Sequence, residues 1–205
     1  MTEVQANNEQ TGQSVKTVLT DPQDYNALHT LNSPWVMWFD NPSKRTNAST
    51  WTANLKEIVT IKTVEEFWGV YDKVATASDL PHGSNYHLFR EGIEPSWEDA
   101  ANAKGGKWGC LFQRSIGEKV NEHWLHTLLA CIGETFDSSP EICGAVFSNR
   151  KSCFRIAIWT RNASEREACE NIGRHLKAVL GLNSQLEYLR HSDSAKANVK
   201  GLYFV

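Results

Sequence analysis

Ile142-Cys143-Gly144-Ala145-Val146-Phe147-Ser148 and Phe154-Arg155-Ile156-Ala157-Ile158-Trp159-Thr160 are two short apolar runs, with Arg150 and Lys151 in the bend between them. Runs of this length, rich in β-branched and aromatic residues and divided by a polar bend, predict a β-hairpin. On its N-terminal side, about Asn121 to Phe136 places Trp124, Leu125, Leu128, Leu129 and Ile132 at helical spacing. On its C-terminal side, Ser164-Glu165-Arg166-Glu167 reads as a capping box, opening a helix that carries Ile172, Leu176, Val179 and Leu180 and stops at Gly181.

The same grammar extends towards both ends. Trp35 to Asp40, ended by Asn41-Pro42-Ser43, and Leu55 to Lys62 read as strands. Thr63-Val64-Glu65-Glu66 is a second capping box, starting a helix that presents Val64, Phe67, Trp68, Tyr71 and Val74, with Val64 and Trp68 at the margin of the apolar stripe. Asn85 to Arg90 and Lys107 to Gln113 are further strands, and two more lie near Gln185 to Arg190 and Leu202 to Val205. Strand pairs, not single strands, separate the three helices, so hairpin connections replace parallel crossovers. The fold class is α+β, an antiparallel sheet with helices on one side and the other face left open to rim loops.

A chain of 205 residues with 40% hydrophobic content suffices for one core. Residues 1–24 are polar and read as a disordered tail before a domain over 25–205. No run approaches the roughly 18 apolar residues of a membrane span, and the start lacks the pattern of a signal peptide, so a soluble intracellular protein is expected. Five cysteines without a C-x-x-C pair argue against a disulfide framework or zinc site. His123 and His126 lack a third ligand, so no metal and no cofactor are expected. Phosphate loops and nucleophile elbows are missing, which points away from an enzyme. Net charge is −3, carried as −7 on residues 1–100 and +4 on 101–205. A broad basic surface for duplex nucleic acid is thereby excluded, while a small cationic patch is not.

Of eight tryptophans, Trp51 and Trp97 stand in loop-forming polar segments, Asn47 to Asn54 and Glu94 to Asp99, where neither has an apolar period to join. Two such indoles, one followed directly by Glu98, suggest a slot for a flat, positively charged ring. Trp35, Trp38, Trp108 and Trp124 read as structural. Taken singly, Trp159 at the end of an apolar strand reads as core, Glu98 as a solvated acid and Arg150 as a bend cation; only their joint arrangement argues otherwise.

Trp51, the stretch from Asp79-Leu80-Pro81 through Asn85-Tyr86-His87-Leu88-Phe89, Gly92-Ile93-Glu94-Pro95-Ser96-Trp97-Glu98-Asp99, Cys143-Gly144-Ala145-Val146 and Ile156-Ala157-Ile158-Trp159-Thr160 together resemble the eukaryotic translation initiation factor 4E family over roughly residues 29 to 205. The resemblance implies a curved sheet of about eight antiparallel strands, backed on its convex face by three helices, with a concave face that binds the 7-methylguanosine cap of mRNA. It assigns Trp51 and Trp97 to stacking on the cap base, Glu98 to its Watson–Crick edge and Trp159 to the N7-methyl group. Arg150, Arg155 and Lys107 fall to the phosphates, Lys107 standing where the family often has arginine. These roles suit the residues: methylation at N7 makes guanine cationic, and a carboxylate accepts from the ring N–H and amino group together.

The resemblance further implies a convex-face site for the helix of a 4G-like scaffold or a 4E-binding repressor, built by His29, Val64, Trp68 and Leu125. Thr30 and His126 replace a proline and an acid usual there. The expected protein is a cytoplasmic, and also nuclear, monomer that brings capped mRNA to the initiation machinery. A repressor that sequesters capped mRNA and a cap-handling hydrolase are the alternatives.

Overall fold

The computed structural model describes residues 27–41, 54–194, 196 and 199–205. Eight strands, β1 (Thr30–Asp40), β2 (Leu55–Thr63), β3 (Asn85–Arg90), β4 (Gly106–Gln113), β5 (Ile142–Asn149), β6 (Cys153–Thr160), β7 (Glu187–Arg190) and β8 (Tyr203–Phe204), form one sheet. Its order is β2-β1-β3-β5-β6-β4-β7-β8 and every pairing is antiparallel. Helices α1 (Val64–Tyr71), α2 (Lys119–Ile132) and α3 (Arg166–Val179) each fall between strand pairs. The hairpin that set the reading pairs Phe147 with Ile156 and Ala145 with Ile158.

Side chains alternate across a strand, so one parity faces the helices. Trp35, Met37, Leu88, Phe147, Ile156 and Ile158 are buried there with Trp124, Leu128, Ile172 and Leu176 of the helices. Trp108 is the pivot of the far half: it is 0% exposed, its indole N–H donates to Cys169 O at 2.7 Å, and Tyr188 meets it edge-on at 5.3 Å. Glycine at 173 lets α3 approach this ring, because a Cβ there would lie 2.5 Å from the indole. Arg90 clamps the opposite half, pairing with Glu134 at 2.9 Å while its guanidinium lies over the Trp35 ring.

The Thr63 capping box forms as expected, with Glu66 N donating to the Thr63 hydroxyl at 3.1 Å and Thr63 N to the Glu66 carboxylate at 3.1 Å. The box at Ser164 does not. Helix α3 begins at Arg166, and Asn162 turns the chain instead, accepting from Ser164 N at 3.0 Å, an Asx turn that an i+3 pattern does not anticipate. α1 ends at Tyr71, so Val74 follows the helix, and α2 runs Lys119–Ile132, stopping short of Phe136. α3 closes at Gly181, whose φ of +61° suits only glycine well. All five cysteines are free thiols; burial pushes those of Cys110 and Cys131 up to about 12. No helix among the described residues is long and apolar enough to cross a membrane.

Candidate functional site

Strand register lays the second parity out as rows on the face away from the helices. One row runs Lys107, Trp159, Gly144, Phe89, Val36; the next Gly109, Ala157, Val146, His87, Trp38; the third Leu111, Arg155, Ser148, Asn85, Asp40. A second small apolar cluster of Phe89, Ile93, Cys143 and Val146, with Ala101 and Trp159 against it, occupies this face. Trp159 is therefore not part of the helix-side core. Phe89 meets its ring edge-on at 5.4 Å and His191 lies 4.1 Å away, so the indole is packed against both while staying half-buried.

Ile93 and Ala101 root the loop between β3 and β4 in that cluster. Within the loop, Asn102 donates to Glu94 O at 2.9 Å and Ser96 O at 2.7 Å, and Asp99 accepts from Glu94 N at 2.9 Å and Ala101 N at 2.8 Å. These bonds spend the turn's polar groups internally, leaving Trp97 at the tip, 49% exposed. Beside it, the Glu98 carboxylate accepts from the Ser96 hydroxyl. That hydroxyl, helped by the Trp97 N–H, holds the Glu98 carboxyl below the usual carboxylate range, so it is anionic at neutral pH.

The cations converge on the same face. Lys107 and Arg155 stand on β4 and β6, and Arg150 follows β5 in the bend, where its N–H donates to Cys153 O at 2.9 Å. Burial lowers the Lys107 and Arg150 pKa values, and the Arg155 charge lowers both further. Two cations that lose hydration beside the charge of Arg155 invite an anion. His191, pushed down to about 4 by burial and then by Lys107, is neutral beneath Trp159.

Trp51 lies outside the described residues. The other cap-side positions singled out by sequence, Trp97, Glu98, Trp159, Arg150, Arg155 and Lys107, reach the open face or its rim loops. Asp40, Asn85, His87, Ser96 and His191 were not singled out. The signal for two of them is present, since polar Asn85 and His87 alternate with Tyr86 and Leu88, and period 2 puts both on the face opposite the core. No group of three or more His, Cys, Asp or Glu side chains suited to a metal ion occurs among the described residues.

The remaining four candidates lie on the helix side. Trp68 is 39% and Val64 36% exposed on α1, and Leu125 of α2 is half-buried against the core. Phe67 and Tyr71 meet Trp68 edge-on at 5.1 and 6.0 Å, which fixes an exposed indole in place. His29 binds the Glu65 carboxylate through its ring at 2.6 Å and its backbone N–H at 2.9 Å, and the ring contact leads in holding that carboxyl down to about 2.

An antiparallel α+β domain with one face sealed by helices and the other bearing aromatics, a carboxylate and clustered cations defines a ligand-binding module for a flat, anion-bearing molecule. The family described as Eukaryotic initiation factor 4E matches residues 30–202, and the chain belongs to it. Eukaryotic translation initiation factor 4E of Candida albicans is 43% identical over 185 residues, covering 87% of each chain. Eukaryotic translation initiation factor 4E-1 of Arabidopsis thaliana is 42% identical over 177 residues, 85% of this chain and 74% of that one. Among solved structures, C. elegans eIF4E-3 with the 4E-binding protein Mextli and a cap analog superposes with a TM-score of 0.80 at 33% identity, over 87% of this chain and 100% of that. Ascaris suum eIF4E-3 with an m2,2,7G cap gives a TM-score of 0.80 at 34% identity, over 87% and 99%.

Proposed function

We propose that the protein binds the 7-methylguanosine 5′ cap of mRNA on its open face and recruits it to translation initiation through a scaffold partner on its helix face. The observation that carries the reading is the loop tip at Trp97 and Glu98: an exposed indole and an adjacent anionic carboxylate, rooted by Ile93 and Ala101 in the cluster that holds Trp159. In this reading Trp97 and Trp51 stack on the cationic base, adding cation–π attraction to stacking of about 1–3 kcal/mol per base. Glu98 accepts from the Watson–Crick edge, Trp159 meets the methyl group, and Arg150, Arg155 and Lys107 meet the phosphates.

Fluorescence titration with 7-methyl-GTP and GTP tests it. Strong tryptophan quenching by the methylated nucleotide and a far weaker response to GTP are expected; equal responses would overturn the reading. The cap is a ligand here and not a substrate, so 7-methyl-GTP recovered by chromatography after long incubation is intact.

His29, Val64, Trp68 and Leu125 receive the amphipathic helix of a 4G-like scaffold or 4E-binding repressor, with Trp68 the anchor. Anchoring aromatics at helix-in-groove sites carry 2 kcal/mol or more. Trp68→Ala is therefore expected to weaken scaffold-peptide binding by about 30-fold or more, measured by calorimetry, while 7-methyl-GTP binding is unchanged. The protein works in the cytoplasm, where initiation takes place.

A further inference from the structure

Arg150 is not a free bend cation. Its Nη1 donates to Gly83 O at 3.2 Å, Ser84 O at 3.3 Å and Asn149 O at 3.2 Å, and its Nη2 donates to Asn85 Oδ1 at 2.7 Å, the shortest of the four. Asn85 in turn is oriented by Asp40: its Nδ2 donates to both carboxylate oxygens, at 2.8 and 2.9 Å. A carboxylate only accepts, so the Asn85 amide must turn its NH2 to β1 and its carbonyl to the guanidinium. His87 Nε2 holds Asp40 Oδ1 at 2.6 Å from the neighbouring position on β3. Asp40 is 0%, His87 4% and Asn85 7% exposed, so the network is part of the sheet's open face and not a surface accident.

Arg150, Arg155 and Lys107 form no ion pair among the described residues. Asp40, one amide removed from Arg150, attracts its charge through the protein interior. Bonded in this way, Nη1 and one Nη2 proton are spent on protein. Without a further partner among the described residues, Nε and the second Nη2 proton make a fork suited to two phosphate oxygens.

We propose that Asp40 and Asn85 are positioning residues for phosphate recognition: the buried carboxylate sets the amide, and the amide aims the Arg150 guanidinium at the phosphate chain of the cap. The inference rests on the cap-binding reading above and adds to it two residues that touch no ligand. Direct contact is left to Arg150, so the loss on breaking the relay falls on the phosphates alone.

The test compares 7-methylguanosine, which has no phosphate, with 7-methyl-GTP on the intact chain. In Asn85→Ala, affinity for 7-methyl-GTP is expected to fall about tenfold and its salt dependence to flatten, while affinity for the nucleoside changes less than about twofold. Asp40→Asn, equal in shape but without the charge, is expected to reproduce the pattern and carries the test if Asn85→Ala does not fold. Adding Asn85→Ala to Arg150→Ala is expected to cost nothing further. Proportional loss with both ligands, or no loss with either, would overturn the proposal. Failure of the unmutated protein to prefer 7-methyl-GTP over GTP would instead overturn the cap reading, so the two failures are distinct.

Discussion

Glu98→Ala is expected to abolish selective binding of 7-methyl-GTP while leaving the protein folded. The base edge presents a ring N–H and an amino group side by side, and one anionic carboxylate accepts from both. Charge-assisted bonds contribute roughly 1.5–3 kcal/mol each, and part of that is recovered by water once the acid is gone. A loss of about 2–4 kcal/mol follows, or roughly 30- to 1,000-fold in Kd. Glu98 is exposed and sits on a loop pinned by Asn102 and Asp99, so its removal opens no cavity and the melting temperature is unchanged. Fluorescence titration alongside thermal unfolding separates the two effects; a melting shift that accounts for the lost affinity would contradict a direct role.

The state of that carboxylate also sets an acid limit. The Ser96 hydroxyl, and then the Trp97 N–H, hold the Glu98 pKa below the usual 4.5. Binding that requires the anion is retained above that range and lost only as pH falls through the depressed value. Ser96→Ala removes the leading cause, so its acid limb is expected at higher pH than in the unmutated protein.

Trp108→Ala is expected to have the largest effect on stability. The side chain is wholly buried and bonded to Cys169 O, with Tyr188 and Gly173 of α3 packed against it. Large aromatic truncations in such sites cost about 3–5 kcal/mol, through lost transfer energy and a cavity that close packing cannot collapse. For a domain of this size that lowers the melting temperature by roughly 6–20 °C. Trp97→Ala, by contrast, is expected to leave melting unchanged and to weaken 7-methyl-GTP binding. Calorimetric melts of both variants check the division; a fall in melting temperature of only a degree or two for Trp108→Ala would contradict the core role.

That division is where sequence and structure part. Local pattern was enough for the architecture: the runs ending near Ser148 and at Thr160, the capping box at Thr63 and the stop at Gly181 all lie where elements begin or end. Periodicity is a property of neighbours along the chain, so a 205-residue string displays it openly. The helix starts at Arg166 and not near Ser164, because Asn162 offers the backbone a competing bond two residues ahead.

Trp97 and Glu98 were conspicuous because an indole and an acid in a turn-forming stretch have no core to serve, and the family resemblance gave them roles. Trp159 was different. Its pattern is that of a core strand residue, and it is register, pairing it with Lys107 and Gly144, that turns it to the open face beside Phe89 and His191. The Asp40, Asn85 and Arg150 relay is invisible along the chain for the same reason. Its members are 45 and 65 residues apart, and only the pairing of β1, β3 and β5 brings them within hydrogen-bond reach. Sequence by itself thus determined which segments form strands and helices and which side chains carry unusual chemistry. Which of those side chains share one face, and which buried charge stands behind a given cation, was decided by tertiary structure, because hydrogen-bond register links residues by space and not by order.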